Sequence, residues 1–257
     1  LPILRAGAST VQRNVIAGNY GPGLVVNSAI TVKVSQNSIF GNGTGTDWAG
    51  NAGSGALGID LDWGNGATGV NANDGAKNAA KANAGMDSPV VQIAAINGTQ
   101  LYVRGYVGSA AGQTVFANAV VELFKSDGDA SGYGEGAVYL GSVTADANGR
   151  FDTTITLVPG TTLAAGDAVT TTATDGSGNT SEFGANVVAQ SLITGTVFED
   201  IHYGGGAGRN LATSGGVGLA GAVVEAYDAN GLFVVSSTTD ATGTYRLSVP
   251  PSTTYVV

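Results

Sequence analysis

The sequence lacks cysteine and has little of several other residue types. Of its 257 residues none is Cys, one is His, one is Met and only 10 are Lys or Arg. Without Cys there are no disulfide bonds and no thiolate chemistry, and a single His excludes a metal site built on several histidines. The 19 Asp and Glu residues give a net charge of −9. This charge argues against nucleic acid as a partner, because phosphate binding needs a basic face.

Long hydrophobic runs are missing too. No apolar run approaches the roughly 18–20 residues of a membrane-spanning helix, and no signal peptide opens the chain. What is abundant is Gly, with 42 residues and no collagen-like period, alongside 43% hydrophobic residues. Frequent Gly indicates many tight turns, and the apolar content suffices for a packed core. Many Val and Thr residues with few Glu, Lys and Met residues predict an all-β protein.

The first region, residues 1–84, contains a repeat. Asn14–Asn19 (NVIAGN) returns 23 residues later as Asn37–Asn42 (NSIFGN), and Leu57–Leu61 could open a further coil. A period in the low twenties, with Asn-containing turns between short strands, predicts a solenoid of stacked coils. The segment resembles the end coils and cap of the pectate-lyase-like right-handed parallel β-helices of bacterial surface proteins. Because a solenoid of two or three coils would have an open end, we expect preceding coils or a cap to be missing before Leu1.

The second region, residues 85–190, alternates strand-like segments with Asn-Gly and Asp-Gly turns. Its phrase Ala173–Phe183 (ATDGSGNTSEF) resembles the bacterial Ig-like modules that follow such β-helices. That resemblance implies a β-sandwich. The predicted strands are Val90–Ile96, Gln100–Val107, Ala119–Lys125, Ala137–Thr144, Gly149–Leu157 and Ala168–Thr174.

The third region, residues 191–257, contains the phrases Gly195–Asp200 (GTVFED), Gly218–Asp228 (GLAGAVVEAYD) and Thr238–Leu247 (TTDATGTYRL). These are similar to the B-type repeat of Gram-positive adhesins, the SdrD B-like or collagen-adhesin B family. The resemblance implies a small β-sandwich stalk module. The family continues beyond a segment like Tyr255–Val257, so we expect this module to be truncated.

Two acidic segments are candidates for Ca²⁺, which prefers carboxylate and carbonyl oxygens. Asp127, Asp129 and Glu135 place three carboxylates in nine residues, although a solvated acidic turn is the competing interpretation. B-type family members often bind Ca²⁺ through an acidic loop after an F-x-D phrase. Glu199 and Asp200 match that opening, with Asp228 or Asp240 as further ligands, but Gly and Tyr residues replace the acids expected next.

Candidates for catalysis are few. His202 lies in a Gly-rich loop, and no G-x-S-x-G motif is present. A polysaccharide lyase, which shares the β-helix fold, could use Asp47, Asp60 or Asp62 with Arg5, Arg13 or Lys33. Fold alone does not imply this activity, and we expect the chain not to be an enzyme.

Trp48 and Trp63 are candidates for stacking on sugar rings, or for anchoring the cap of the solenoid. The sequence therefore predicts a secreted, extracellular structural or adhesive module of a large bacterial surface protein. This module could form the subunit of a filament or sheath. The expected partners are copies of itself or a surface polysaccharide, with Ca²⁺ as the one candidate cofactor. The alternatives are a carbohydrate-binding adhesin and a fragment of a β-helix polysaccharide lyase.

Overall fold

The computed structural model describes residues 3–4, 9–27, 30–46, 49–50, 53, 56–62, 69–204, 208–251 and 254–257. The fold is nearly all-β, which confirms the predicted class at that level. In the described part of the chain, none of the helices has the length and apolar character needed to cross a membrane. The chain forms two compact units, Leu1–Ala94 with Gly98–Ala189, and Ala95–Asn97 with Gln190–Val257. The predicted division into three modules stays a prediction.

The first seven strands of the first unit pair in parallel. Ser9 pairs with Val32 and Val15 with Ser38, so the register of these strands is the 23-residue repeat found in the sequence. Leu24 pairs with Ile59, a step of 35 residues instead of 23. The strands lie in three sheets, β1-β4-β7, β2-β5 and β3-β6. They are β1 (Ile3–Leu4), β2 (Ser9–Gln12), β3 (Val15–Ala17), β4 (Leu24–Asn27), β5 (Val32–Ser35), β6 (Ser38–Phe40) and β7 (Ile59–Asp62).

The rest of the first unit is mainly antiparallel. Strands β10, β11, β13 and β14 form one sheet in the order β11-β10-β13-β14, and β12-β9-β8 lie side by side in another. Each of the six strands predicted in this region is present, with ends that shift by at most a residue or two. The bounds are β8 (Pro89–Asn97), β9 (Gln100–Val107), β10 (Val120–Ser126), β11 (Gly136–Thr144), β12 (Arg150–Thr156), β13 (Ala168–Thr174) and β14 (Val187–Val188), with 3₁₀ helices at Ala82–Gly85 and Thr114–Phe116.

An apolar cluster joins the parallel strands to the antiparallel ones. Alternate residues of β4 point inward, so that Leu24 and Val26 are fully buried. They belong to the same cluster as Phe124 of β10 and Phe183. The rings of Phe124 and Phe183 meet edge to face, with centroids 5.5 Å apart. Because each part covers the apolar face of the other, neither part buries this core alone.

The second unit is smaller. It contains β15 (Gln190–Thr196), α1 (Leu211–Ser214), β16 (Val223–Asp228), β17 (Phe233–Thr238), β18 (Thr244–Val249) and β19 (Tyr255–Val256). Strand β15 pairs antiparallel with β18, and β17-β16-β19 form a second sheet. One cluster of fully buried residues in this unit consists of Ala226, Leu247 and Val249, surrounded by half-buried aliphatic and Tyr side chains.

Candidate functional site

Asparagine side chains link successive parallel strands at two corners. The Asn37 Oδ1 accepts a hydrogen bond from the backbone N–H of Asn14 at 2.9 Å. The Asn42 Oδ1 accepts bonds from the backbone N–H of Asn19 at 3.2 Å and from its Nδ2 at 2.7 Å. Each Asn therefore satisfies the backbone of the residue 23 positions earlier. We call these four residues the asparagine ladder.

The ladder ends at Asn42, where a glutamate takes the next position. The Glu135 carboxylate accepts a bond from the Asn42 backbone N–H at 2.7 Å and from its Nδ2 at 2.8 Å. These are the two groups through which Asn19 bonds to Asn42. Glu135 is 0% exposed. A carboxylate from the antiparallel part thus replaces the asparagine that a further coil would supply.

A second glutamate closes the neighbouring corner. Glu122 lies on β10 and accepts bonds from the Ser35 Oγ at 2.6 Å and from the Gln36 backbone N–H at 2.8 Å. It is 5% exposed, although it sits in an otherwise apolar stretch of the strand. Bonds from these donors satisfy a charge that would be costly to bury alone.

A third glutamate closes the end of β7. Glu182 accepts bonds from the backbone N–H groups of Leu61 at 2.9 Å and Asn71 at 2.8 Å. The Asn71 Nδ2 donates to it as well, at 2.7 Å. The segment that leaves the parallel strands is therefore tied to β7 through one buried carboxylate.

Side chains also cover the free edge of β5. The Asn83 Oδ1 accepts from the Val32 N–H at 2.6 Å, and its Nδ2 donates to the Val32 carbonyl at 3.0 Å. The Thr180 Oγ1 accepts from the Val34 N–H at 2.9 Å. An asparagine amide thus makes the pair of bonds that a neighbouring strand would make. We call the set of Asn83, Glu122, Glu135, Thr180 and Glu182, with the backbone groups that they bind, the capped end.

Close packing holds the capped end in position. A methyl group on Gly136 would lie 2.6 Å from the Phe183 ring, and one on Gly58 would lie 2.9 Å from it. The ring therefore fits only because both positions lack a side chain. Phe183 follows Glu182 directly, so the packing of one residue fixes the carboxylate of the next.

Burial changes the acidity of this region. Loss of hydration raises the pKa of Glu135 to about 7, against the opposing effect of its bonds from Asn42. Burial likewise raises the pKa of Glu182 to about 7, and the charge of Asp60 adds to the shift. Asp60 itself is 1% exposed, and burial raises its pKa to about 6. Groups that titrate near neutral pH could serve acid–base chemistry, but the oxygens of Glu135 and Glu182 bind peptide and amide groups of the chain. The buried Asp60 Oδ1 has no hydrogen-bond partner among the described residues.

The residues of the first predicted calcium segment have partners within the protein. The Asp127 Oδ1 accepts from the Glu135 N–H at 3.0 Å, and its Oδ2 accepts from the Gly41 N–H at 2.8 Å. Asp129 accepts from the Ser131 N–H at 2.7 Å, whereas the Glu135 carboxylate faces Asn42. Across the described ranges, no three His, Cys, Asp or Glu side chains are placed to hold one metal ion. Calcium binding stays a prediction.

The second predicted calcium segment lies in the second unit. Glu199 is exposed, and the Asp200 Oδ1 accepts from the His202 N–H at 3.1 Å. The other carboxylate oxygen of Asp200 lies 3.9 Å from the Arg209 Nε. Asp228 and Asp240 each accept backbone bonds from the turn that follows them.

Four other candidates from the sequence lie outside the described residues: Trp48, Trp63, Asp47 and Arg5. Asp62 lies at the end of β7 and accepts from the Asn27 Nδ2 at 2.9 Å. The stacking role of the two Trp side chains therefore stays a prediction.

Sequence reasoning missed the capping role of Glu122, Glu182 and Asn83. One signal was present for Glu122, since an acid at the centre of the apolar run VVELF needs a buried partner. Glu182 stands among small polar residues and Asn83 among Ala and Gly residues, where nothing in the local pattern marks them as buried.

Comparisons with known proteins add little to this description of the site. No family model matches the chain. A search of solved structures finds the crystal structure of a tetra-tandem repeat in the extending region of a large adhesion protein, which is 17% identical with a TM-score of 0.22. The match covers 59% of this chain and 37% of that one, so the chain spans well under half of the neighbour's length. A likeness at this level carries neither fold nor function across.

Proposed function

We propose that the chain is a non-catalytic structural or adhesive module of a large extracellular bacterial surface protein. The observation that carries the proposal is the capped end, which binds two segments of different architecture through buried hydrogen bonds and one core. The oxygens of its acidic groups are occupied by the protein's own donors. Such an arrangement is suited to a module with a structural role.

We further propose that the parallel strands are the last coils of a right-handed β-helix, followed by an Ig-like and an SdrD B-like sandwich. The three parallel sheets and the 23-residue register favour stacked coils. The right hand is the one that parallel crossover connections adopt in nearly all proteins. In this arrangement the capped end is where the solenoid stops and the sandwich begins.

Copies of the chain, or a surface polysaccharide, are the proposed partners. Strand β3 carries Val15, whose side chain is 74% exposed, and it pairs with β6 on one side. An exposed apolar position on a terminal strand favours the addition of another strand. Assembly into a filament would use this edge, and it would leave the capped end untouched.

Single-molecule unfolding tests the structural role. If the capped end makes residues 9–189 one mechanical body, pulling the chain from its two ends releases this part in a single event, with a gain in length on the order of 60 nm. Two separate events for residues 9–84 and 85–189 would contradict the proposal. Turnover of a uronic-acid polymer that is lost in Asp60→Ala would support the lyase alternative instead.

A further inference from the structure

A polar cleft opens on the first unit between β5 and the turn that follows β13. Its volume is about 350 Å³, within the range of roughly 300–1,000 Å³ typical of small-molecule sites. Lys33 of β5 and Thr31, the residue before that strand, line the cleft, and the parallel register places Thr10 of β2 beside Lys33. The turn at residues 174–178 forms one wall and Val120 of β10 lines another.

The wall formed by the turn is rigid. Asp175 accepts bonds from the backbone N–H groups of Ser177 at 2.9 Å and Asn179 at 3.0 Å. Lys77 lies 2.8 Å from the other carboxylate oxygen. Burial opposes ionisation of Asp175, but the bonds from Asn179 and Lys77 outweigh it and hold its pKa below the ordinary value. A carboxylate occupied in this way shapes the cleft and leaves little acceptor capacity for a ligand.

Lys33 differs from the other lysines of the chain. Lys77, Lys81 and Lys125 each have an Asp oxygen within 2.8–3.1 Å. No ion pair to Lys33 is formed within the part of the chain that the structure describes, and its side chain is exposed in the cleft. The cleft therefore offers one ammonium group with three donors beside several hydroxyl groups.

We propose that this cleft binds a sugar acid, with the ligand's carboxylate on Lys33 and its hydroxyl groups on the Ser and Thr side chains around it. Glu122 also lines the cleft, but its oxygens bind Ser35 and Gln36, so it does not compete for the ammonium. The net charge of −9 acts weakly at this site, because charges beyond about 8 Å are screened at physiological ionic strength. The cleft shares Glu122 with the capped end, but Lys33 makes none of the hydrogen bonds of the capped end, so the structural role does not depend on ligand binding.

The test compares two ligands that differ at one carbon. Methyl β-D-glucuronide carries a carboxylate where methyl β-D-glucoside carries a hydroxymethyl group. Titration of the ¹⁵N-labelled 257-residue chain, followed by NMR, is expected to shift the amides of residues 31–33 and 176–178 with the glucuronide only. For one sugar unit we expect a Kd on the order of 1 mM, weakening as salt is raised.

Substitutions distinguish a specific role of Lys33 from a general effect of positive charge. Lys33→Gln is expected to weaken glucuronide binding about tenfold, whereas Lys81→Gln, which removes the same charge elsewhere, leaves it unchanged. The proposal is overturned if Lys33→Gln binds as the unsubstituted chain does, if the glucoside binds equally well, or if acetate shifts the same amides at the same concentration. Thermal unfolding of Lys33→Gln is expected to match the unsubstituted chain, so failure of the cleft is distinguishable from failure of the structural role.

Discussion

The buried glutamates of the first unit and the turn aspartates of the second unit use their carboxylates in opposite ways. In the first unit, Glu135 and Glu182 reach backbone groups 93 and 121 residues away, and both are buried. In the second unit, Asp228 and Asp240 accept bonds from residues two and four positions ahead; Asp228 is half-buried and Asp240 is exposed. The long-range acids hold separate segments together, whereas the local acids shape single turns. Removing one buried contact should therefore lower the free energy of unfolding of the first unit. Removing one contact from the second unit should change its free energy of unfolding much less.

The largest effect is expected at Phe183. Phe183→Ala removes a ring that is 3% exposed and packs against both Phe124 and the parallel strands, and we expect a loss of roughly 3–5 kcal/mol in the free energy of unfolding. The matched control is Phe233→Ala in the second unit, where the ring is 57% exposed. We expect less than about 1 kcal/mol there. Urea unfolding of both variants measures the two losses, and equal losses would remove the contrast between the units.

The next effect concerns pH. Glu135 and Glu182 have pKa values of about 7 against 4.5 for an unperturbed Glu, so the folded state binds more protons than the unfolded state between these values. Stability is then fully present below pH 4.5 and is lost as the pH rises through 7, on the order of 3 kcal/mol for each of the two groups. Urea unfolding at pH 5, 6, 7 and 8, followed by exchange of first-unit amides, measures this loss.

The second unit should respond to pH in the opposite direction. Bonds from its own turn, first of all from Thr242, lower the pKa of Asp240 to about 2, and bonds from Leu232 and Asn230 lower the pKa of Asp228. The stability that these groups contribute is present above pH 3.8 and is lost as the pH falls through their folded values. If both units weakened together on raising the pH from 5 to 8, the assignment to the capped end would be wrong.

A smaller effect is expected at Gly23, which directly precedes β4 and lies close to neighbouring backbone. A methyl group there would lie 2.7 Å from the Gly58 carbonyl oxygen and 2.9 Å from the Asn42 Nδ2. Gly23→Ala should cost about 1–3 kcal/mol, because backbone has to move to make room. Gly208→Ala in the second unit places its methyl group in open space and serves as the control. Thermal unfolding distinguishes the two, and an unchanged Gly23→Ala variant would mean that the strands lie further apart.

Much of the strand pattern could be predicted from the sequence, because it depends on local signals. Alternation and Asn-Gly or Asp-Gly turns located the six strands from β8 to β13, and the spacing of Asn14 and Asn37 anticipated the parallel register. Both signals are local, because the residues that carry them lie in the strands and turns that they predict. The 35-residue step from Asn27 to Asp62 could not be anticipated, since an insertion interrupts the repeat.

The capped end depends on contacts that the sequence does not encode locally. In the sequence, Glu135 is a third carboxylate near Asp127 and Asp129, and this grouping predicts a calcium site. Its side chain faces Asn42, which is 93 residues away. Only the placement of the antiparallel strands against the end of the parallel ones determines which acid meets which amide.

Hydrogen exchange of individual amides tests the capped end most directly. In the unsubstituted chain we expect the amides of Asn42 and Leu61 to be protected by Glu135 and Glu182, respectively. Glu135→Ala should accelerate exchange of the Asn42 amide about tenfold or more and leave the Leu61 amide nearly unchanged, and Glu182→Ala should do the reverse. Asp129→Ala is the control and should alter neither amide. If Asn42 exchanges at the original rate in Glu135→Ala, or if both variants accelerate the two amides equally, these carboxylates do not cap the parallel strands.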